Sequence, residues 1–130
     1  MPRNHSSKDI GIYGERIAEK FLKRQEYEIL VRNYESDHGE IDLVCRHQKT
    51  LVFVEVKARG ESSIERPARA VGEKKQKKII RTAYTYLSEI SERDMPLRFD
   101  IVEVYLSSRQ KPRCELIQSA FEIPRRDKWH

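Results

Sequence analysis

Two charged side chains lie on the face of a strand-like segment where its phenylalanine should pack. In residues 51–57, LVFVEVK, alternate side chains point to opposite faces of a strand, so three valines share one face. Phe53, Glu55 and Lys57 share the other face. A strand that is apolar on both sides is usually central and covered on both faces, so a carboxylate and an ammonium there indicate a chemical role.

The acidic segment before this strand places a second carboxylate near the first. The link at residues 47–50 has the length of a β-hairpin, and a turn at its two central residues predicts that Asp42 lies directly opposite Glu55. Glu40 then lies opposite Lys57. Directly opposed Cβ atoms are about 5 Å apart, which lets two carboxylates share one ion. A turn of odd length would send Asp42 to the opposite face, so this register is a testable prediction.

Opposed carboxylates favour a divalent metal ion. Asp42 and Glu55 would repel each other, and oxygen ligands with several retained waters are what Mg²⁺ or Mn²⁺ binds. Such an ion lowers the pKa of a bound water and stabilises charge on a phosphodiester. Lys57 would orient the attacking water or stabilise the transition state. The alternative is a cross-strand network in which Asp42 or Glu40 pairs with Lys57 at the surface, where an ion pair contributes little stability.

A further acidic side chain comes from a helix near the start of the chain. Residues 10–24 have apolar side chains at helical spacing, and Glu15 borders the apolar stripe. There Glu15 would join Asp42 and Glu55 as a third metal ligand. The alternative is a glutamate of the helix's first turn, which the helix dipole stabilises.

A second helix carries a run of basic residues. Lys75 is in line with the apolar stripe of this helix, where it would reach a phosphate or the metal site, or lay its stem along apolar surface. Lys74, Gln76 and Lys78 are weaker candidates for nucleic-acid contacts. A run such as EKKQKK is more often a solvated face than a specific contact.

The elements that carry these residues predict a sheet with helices on its faces. The strand-like segments are residues 27–32, 40–46, 51–57, 97–106 and 114–118. Residues 33–39, NYESDHG, have the composition of a loop, and the second helix begins near Pro67. This order predicts an α/β fold, a mixed β-sheet flanked by helices, in a single domain over residues 1–130. Residues 1–9 and about 124–130 are expected to be flexible tails.

The composition limits the classes of protein to consider. Lys and Arg number 26 against 21 Asp and Glu, and the resulting charge of +5 suits a polyanion such as nucleic acid, or simply a well-solvated surface. Two cysteines without CxxC spacing argue against a disulfide framework and against a zinc site. Without a long apolar run or a signal peptide, we expect a cytoplasmic protein that has no membrane partner.

Asp42, followed by Glu55-x-Lys57, resembles the core motif of the PD-(D/E)xK nuclease superfamily. More specific words surround that motif. GERIAEKFL, VRNY, HGEIDLV, LVFVEVKAR, AVGEKKQKKI and RFDIVEV, in this order, resemble the YraN family of small bacterial proteins over about residues 11–121. The resemblance implies a restriction-endonuclease-like fold that is similar to archaeal Holliday-junction resolvases.

By position, the resemblance also implies roles for individual residues. Asp42 and Glu55 would be metal ligands, Glu15 the helix acid and Lys57 the catalytic lysine. Four further residues match family words in supporting roles: Glu40, Lys75, Arg98 and Asp100. An ion pair between Asp100 and Arg98 is one interpretation of the role of Asp100.

Residues and resemblance together predict a Mg²⁺-dependent endonuclease-like protein that acts on DNA, with branched or repair and recombination intermediates as candidate substrates. A homodimer follows by analogy with resolvases, which cut two strands. One alternative is a non-catalytic nucleic-acid-binding module with the same fold. The other is a protein-interaction domain whose charges are ordinary surface, for which no divalent-metal effect is expected.

Overall fold

Five strands form one mixed sheet with a helix on each face. The computed structural model describes residues 7–60, 71–91 and 94–124. The elements in chain order are α1 (Ser7–Arg24), β1 (Glu28–Ser36), β2 (Gly39–His47), β3 (Thr50–Arg59), α2 (Glu73–Glu89), β4 (Leu97–Tyr105) and β5 (Arg113–Phe121). The strands lie in the order β1-β2-β3-β4-β5, with β3 and β4 parallel and the other neighbours antiparallel. The predicted α/β class is confirmed, and the arrangement is consistent with a restriction-endonuclease-like fold.

The side chains of β3 divide the core into two halves. Val52 and Val54 pack with Leu22 in the half that lies under α1. Phe53 points to the opposite face, where its ring meets the edge of Tyr86 of α2 at 6.1 Å between centroids. Each fully buried side chain of this size contributes about 1.5–3 kcal/mol, so helices on both faces hold β3 rigidly. The charged residues at its end are therefore carried by the central strand of the sheet.

Helix α1 approaches the far end of β3 closely at Gly14. A Cβ atom built on Gly14 would lie 2.7 Å from the Cβ of Ala58, whereas one built on Gly11 would meet nothing within 4 Å. Real Cβ atoms do not come so close, so only glycine permits this helix–strand contact. The contact fixes the following residue, Glu15, beside the end of β3 that carries Lys57.

Arg98 and Asp100 belong to a buried polar network on the α1 side of the sheet. Asp100 is 1% exposed, and its Oδ1 accepts hydrogen bonds from Nε of Arg98 at 2.9 Å and from the backbone N–H of Ser119 at 3.0 Å. Its Oδ2 accepts a hydrogen bond from the Tyr27 hydroxyl at 2.8 Å. The interpretation of Asp100 as the partner of Arg98 is confirmed. These bonds join β4, β5 and the start of β1, so the network is structural.

The ends of several elements differ from the sequence prediction. Residues 33–36 were expected in a loop, but they continue β1, and Ser36 pairs with Gly39 across a turn of two residues. The reason is that β1 is an edge strand, where polar side chains can remain exposed to water. Helix α1 begins at Ser7, inside the predicted tail, and α2 begins at Glu73 rather than near Pro67. Residues 1–6, Pro67 and residues 125–130 lie outside the described part of the chain.

No helix in the described ranges is both long enough and apolar enough to cross a membrane.

Candidate active site at the parting of two strands

The predicted hairpin register is confirmed over most of its length. Gln48 and Lys49 form the turn, and Gln48 has the positive φ of 58° that a tight turn of this kind requires. Val44 pairs with Phe53, as predicted. The pairing of β2 with β3 ends with Leu43 opposite Val54.

Beyond that pair, two expectations are wrong. Asp42 and Glu55 are not a paired position in the sheet, and Glu40 does not lie opposite Lys57. Glu40 is paired with Glu35 of β1, and Lys57 is paired with residue 103 of β4.

The strands part because a side chain replaces the backbone partner. Oδ2 of Asp42 accepts a hydrogen bond of 2.8 Å from the backbone N–H of Val56, a donor of β3 that a strand carbonyl would otherwise satisfy. The Asp42 carboxylate therefore fills the gap between β2 and β3, directly beside Glu55.

The alternation of side chains also breaks in β1, at Asn33. Its φ of 51° is in the left-handed region, which Asn tolerates better than most residues. Arg32 therefore points toward α1 and donates from Nε to Glu19 at 2.5 Å. Tyr34 points toward α2 and donates its hydroxyl to Glu89 at 2.6 Å.

The neighbouring strand β2 changes faces at the same level. Leu43 packs in the half of the core under α1, and Ile41 packs in the half under α2. Two residues that are two positions apart would share a face in a regular strand. Asp42 lies between Ile41 and Leu43, at the point where β2 changes faces, so side chains from both faces of the sheet can lie close to its carboxylate.

Glu55 is the buried acid of the site, with 5% of its surface exposed. Burial, and then the negative charge of Asp42, raise the pKa of Glu55 to about 8. A hydrogen bond between these two carboxyl groups contributes in the same direction, while the positive charge of Lys75 opposes it. The carboxyl groups of Asp42 and Glu55 thus converge, as the metal-site prediction requires.

Two lysines accompany this acid pair from different elements. Nζ of Lys75, on the first turn of α2, lies 3.7 Å from Oε2 of Glu55. Burial, followed by the neighbouring ammonium of Lys75, lowers the pKa of Lys57. Burial opposes protonation of Lys75 as well, but the charge of Glu55, a hydrogen bond with Lys57 and the charge of Asp42 together outweigh it and raise the pKa of Lys75. The site therefore holds one lysine that releases its proton more readily than an ordinary lysine and one that holds its proton more firmly.

Glu15 lies near the acid pair but not in a closed cluster with it. It occupies the middle of α1, so the interpretation as a first-turn glutamate is wrong. Burial raises the pKa of Glu15, the charge of Asp42 raises it further, and a hydrogen bond with Asn33 opposes both. Within residues 7–60, 71–91 and 94–124, no three His, Cys, Asp or Glu side chains are arranged to hold a metal ion. The role of Glu15 as third ligand stays a prediction.

The remaining basic candidates lie on the exposed side of α2. Lys74 and Lys78 are exposed, and Lys75 is also 47% exposed, not buried along the apolar stripe. Gln76 donates its side-chain amide to the carbonyl of Val71 at 2.7 Å, so it fixes the chain that enters α2. Its predicted nucleic-acid contact has no support in this geometry.

Sequence reasoning missed a second buried acid beside Lys57. Glu103 is 1% exposed, and its carboxylate accepts hydrogen bonds from Nε of Arg59 at 2.6 Å and from the Tyr105 hydroxyl at 2.8 Å. The sequence signal for Glu103 was a glutamate within the largely apolar strand FDIVEVYL. A carboxylate buried in such a strand needs a hydrogen-bonding or charged partner. For Gly14, the signal was its spacing of four residues from Ala18 on the buried stripe of α1.

Comparison with known proteins identifies similar chains along most of the sequence. A family model described as "Uncharacterised protein family UPF0102" matches residues 14–104. A UPF0102 protein of Geobacter sulfurreducens is 39% identical over 120 residues, which cover 92% of this chain and 94% of that protein. One of Symbiobacterium thermophilum is 41% identical over 115 residues, 88% of this chain and 98% of that protein. One of Desulforapulum autotrophicum is 44% identical over 113 residues, 87% and 93% of the two chains.

Proposed function

We propose a function for this chain from the premise that it belongs to the uncharacterised protein family UPF0102: it is a magnesium-dependent endonuclease-like protein that acts on DNA. UPF0102 and the YraN family are the same family. Branched DNA and the intermediates of repair and recombination are the substrates that we expect, by analogy with resolvases of the same fold class.

One observation carries the proposal. A buried glutamate and an aspartate converge where two strands part, and a lysine from each of two elements lies beside them. Burial of Glu55 destabilises its charged form, and nothing in the packing of an ordinary sheet requires an acid there. Such strongly perturbed acids are more frequent at functional sites than elsewhere.

The donor set of this pair fits a hard divalent cation. Mg²⁺ binds through one or two carboxylates and completes its shell with water and phosphate oxygens. Asp42 and Glu55 supply two carboxylates. Burial, and then repulsion by Asp42, raise the pKa of Glu55, and a bound cation would offset both effects. When bound, Mg²⁺ or Mn²⁺ would supply a more acidic water and neutralise charge on the phosphodiester.

The two lysines suit different parts of a hydrolytic reaction. Burial and the neighbouring Lys75 lower the pKa of Lys57, so it releases its proton more readily than an ordinary lysine and, once neutral, would accept a proton from an attacking water. Lys75 keeps its positive charge next to Glu55, where it would contact a non-bridging phosphate oxygen. The arrangement therefore combines a water-activating group with a group that stabilises negative charge.

Charge favours nucleic acid as the partner. The chain carries +5 overall, and the exposed Lys74 and Lys78 extend the positive surface of α2 beyond Lys75. Lysine contacts to phosphates supply affinity without sequence preference. A homodimer remains the expectation for cutting two strands.

A cleavage assay tests the proposal. Purified protein is mixed with linear, single-stranded and four-way-junction DNA in Mg²⁺, in Mn²⁺ and in EDTA. Glu55→Gln and Lys57→Met keep the size of the side chain while removing its ionisable group. Glu122→Gln, at an exposed position after β5, is the matched control.

The proposal expects metal-dependent cleavage by the wild type and by Glu122→Gln, with a loss of at least about 100-fold in both site variants. DNA binding that persists in all variants with no cleavage by the wild type would favour the non-catalytic module. Neither binding nor cleavage would leave only the protein-interaction domain.

A further inference from the structure

A groove of about 490 Å³ lies against α1 and the strands β1 and β2, on the α1 face of the sheet. The side chains that line it are Ile12, Glu15, Arg16, Glu19, Arg32, Asn33 and Leu43. Asp42, Glu55 and the two lysines are not among them. The groove is thus a separate feature that adjoins the site through Glu15.

The groove has two arginines in its wall. Arg16 and Arg32 are both exposed. Glu19 accepts hydrogen bonds from Nε of Arg32 at 2.5 Å and from its Nη2 at 3.0 Å. An arginine has five N–H donors, so a two-point contact fixes the guanidinium plane and leaves donors for another partner.

Glu15 makes the groove continuous with the candidate active site. It lines the groove, bonds to Asn33 and responds to the charge of Asp42. The groove lies on the α1 side of the sheet, because four of its seven lining residues belong to α1, while Lys75 reaches Glu55 from α2. A nucleic-acid strand bound at the acid pair would therefore have the groove on one side and Lys75 on the other.

We propose that this groove binds the sugar–phosphate backbone next to the cleaved phosphodiester, with Arg16 and Arg32 as phosphate contacts. The inference rests on the proposed function, since a polymer held at Asp42 and Glu55 must continue across an adjoining surface. Planar guanidinium groups match phosphate oxygens, which makes a nucleic-acid backbone the ligand class that fits. Ile12, exposed by 43% at the wall, offers an apolar contact for a sugar.

The salt dependence of DNA binding tests this assignment. Binding of fluorescein-labelled single-stranded and four-way-junction DNA is followed by anisotropy over a potassium chloride series, in Ca²⁺ instead of Mg²⁺. The variants are Arg16→Gln, Arg32→Gln and their combination. Arg24→Gln is the matched control, because Arg24 is an exposed arginine of the same helix that does not line the groove.

Each lost phosphate contact should lower the slope of log K against log salt by about 0.7 on single strands and about 0.9 on duplex arms. We expect that decrease in each groove variant, twice that decrease in the double variant, and no change in Arg24→Gln.

Two results would overturn the groove assignment. One refutes this assignment alone, and the other also refutes the proposed function. If the wild type binds and cleaves DNA but the groove variants keep its slope, the Arg32–Glu19 pair is an ordinary surface ion pair and only this inference fails. If the wild type neither binds nor cleaves DNA, the proposed function fails and the groove assignment fails with it.

Discussion

Replacement of Glu55 by glutamine should stabilise the metal-free protein at alkaline pH. The folded protein holds the proton of Glu55 up to about pH 8, whereas the unfolded chain releases it near the ordinary value of 4.5. Below that ordinary value both states are protonated, so the stability associated with this proton is fully present. As the pH rises from 4.5 to about 8, only the folded state still binds the proton, and the free energy of unfolding falls.

The size of this effect follows from the same pKa values. A pKa that rises from 4.5 to about 8 corresponds, at about 1.36 kcal/mol per unit, to on the order of 5 kcal/mol. Domains of this size have total stabilities of about 5–15 kcal/mol, so the change is large. Glutamine resembles the protonated acid and does not titrate, so Glu55→Gln should lose this part of the pH dependence.

Urea unfolding in EDTA, at several pH values between 4.5 and 9, measures the effect. The difference in unfolding free energy between Glu55→Gln and the wild type should increase with pH and level off above about pH 8. Glu122→Gln, at an exposed site, should follow the wild type. Parallel curves for Glu55→Gln and the wild type would refute the reasoning, because Glu55 would then ionise as in the unfolded chain.

Three further substitutions test the framework of the site by urea unfolding. Gly14→Ala should destabilise the fold by about 1–3 kcal/mol, because the added Cβ would collide with Ala58. Gly11→Ala, with open space around it, should be neutral or stabilising. Equal effects of the two substitutions would contradict the close contact. Asn33→Val should cost about 1–2 kcal/mol of stability, because a β-branched residue disfavours the left-handed backbone conformation at this position. Asn33→Gly should cost less. The reverse order would refute the left-handed conformation of Asn33. Asp100→Asn should cost about 3–5 kcal/mol of stability, because it removes the buried charge that pairs with Arg98. Metal binding by the folded protein should be unchanged. A specific loss of metal binding would instead give Asp100 a role in the site.

The pattern of side chains in the hairpin was enough to predict most of the site. Strict alternation in β3 and a two-residue turn fixed the pairing of Val44 with Phe53, and that register brought Asp42 to the level of Glu55. The same reasoning failed one residue further, because it assumed that the backbone ladder continues. The carboxylate of Asp42 ends the ladder by accepting the N–H of Val56, and alternation contains no information on such a side-chain contact.

Contacts between distant segments explain the other differences. The break at Asn33 depends on a single backbone angle, and NYES was read as a loop from its turn-forming residues although it pairs along β2. Tyr27 and Asp100 are 73 positions apart, so their hydrogen bond could not be inferred from local spacing. Lys75 lies beside Glu55, which is one of the positions that its spacing allowed, but the choice among them depends on how α2 crosses the sheet.

Direct measurement of Mn²⁺ binding tests the central claim, that Asp42 and Glu55 hold a divalent cation. Free Mn²⁺ gives an electron paramagnetic resonance signal that is lost when the ion binds protein, so titration reports the affinity and the stoichiometry. We expect stoichiometric binding by the wild type and by Glu122→Gln, displacement of Mn²⁺ by excess Mg²⁺, and loss of binding in Asp42→Asn and in Glu55→Gln. Unchanged Mn²⁺ binding in both site variants, or no binding by the wild type at millimolar Mn²⁺, would contradict the claim.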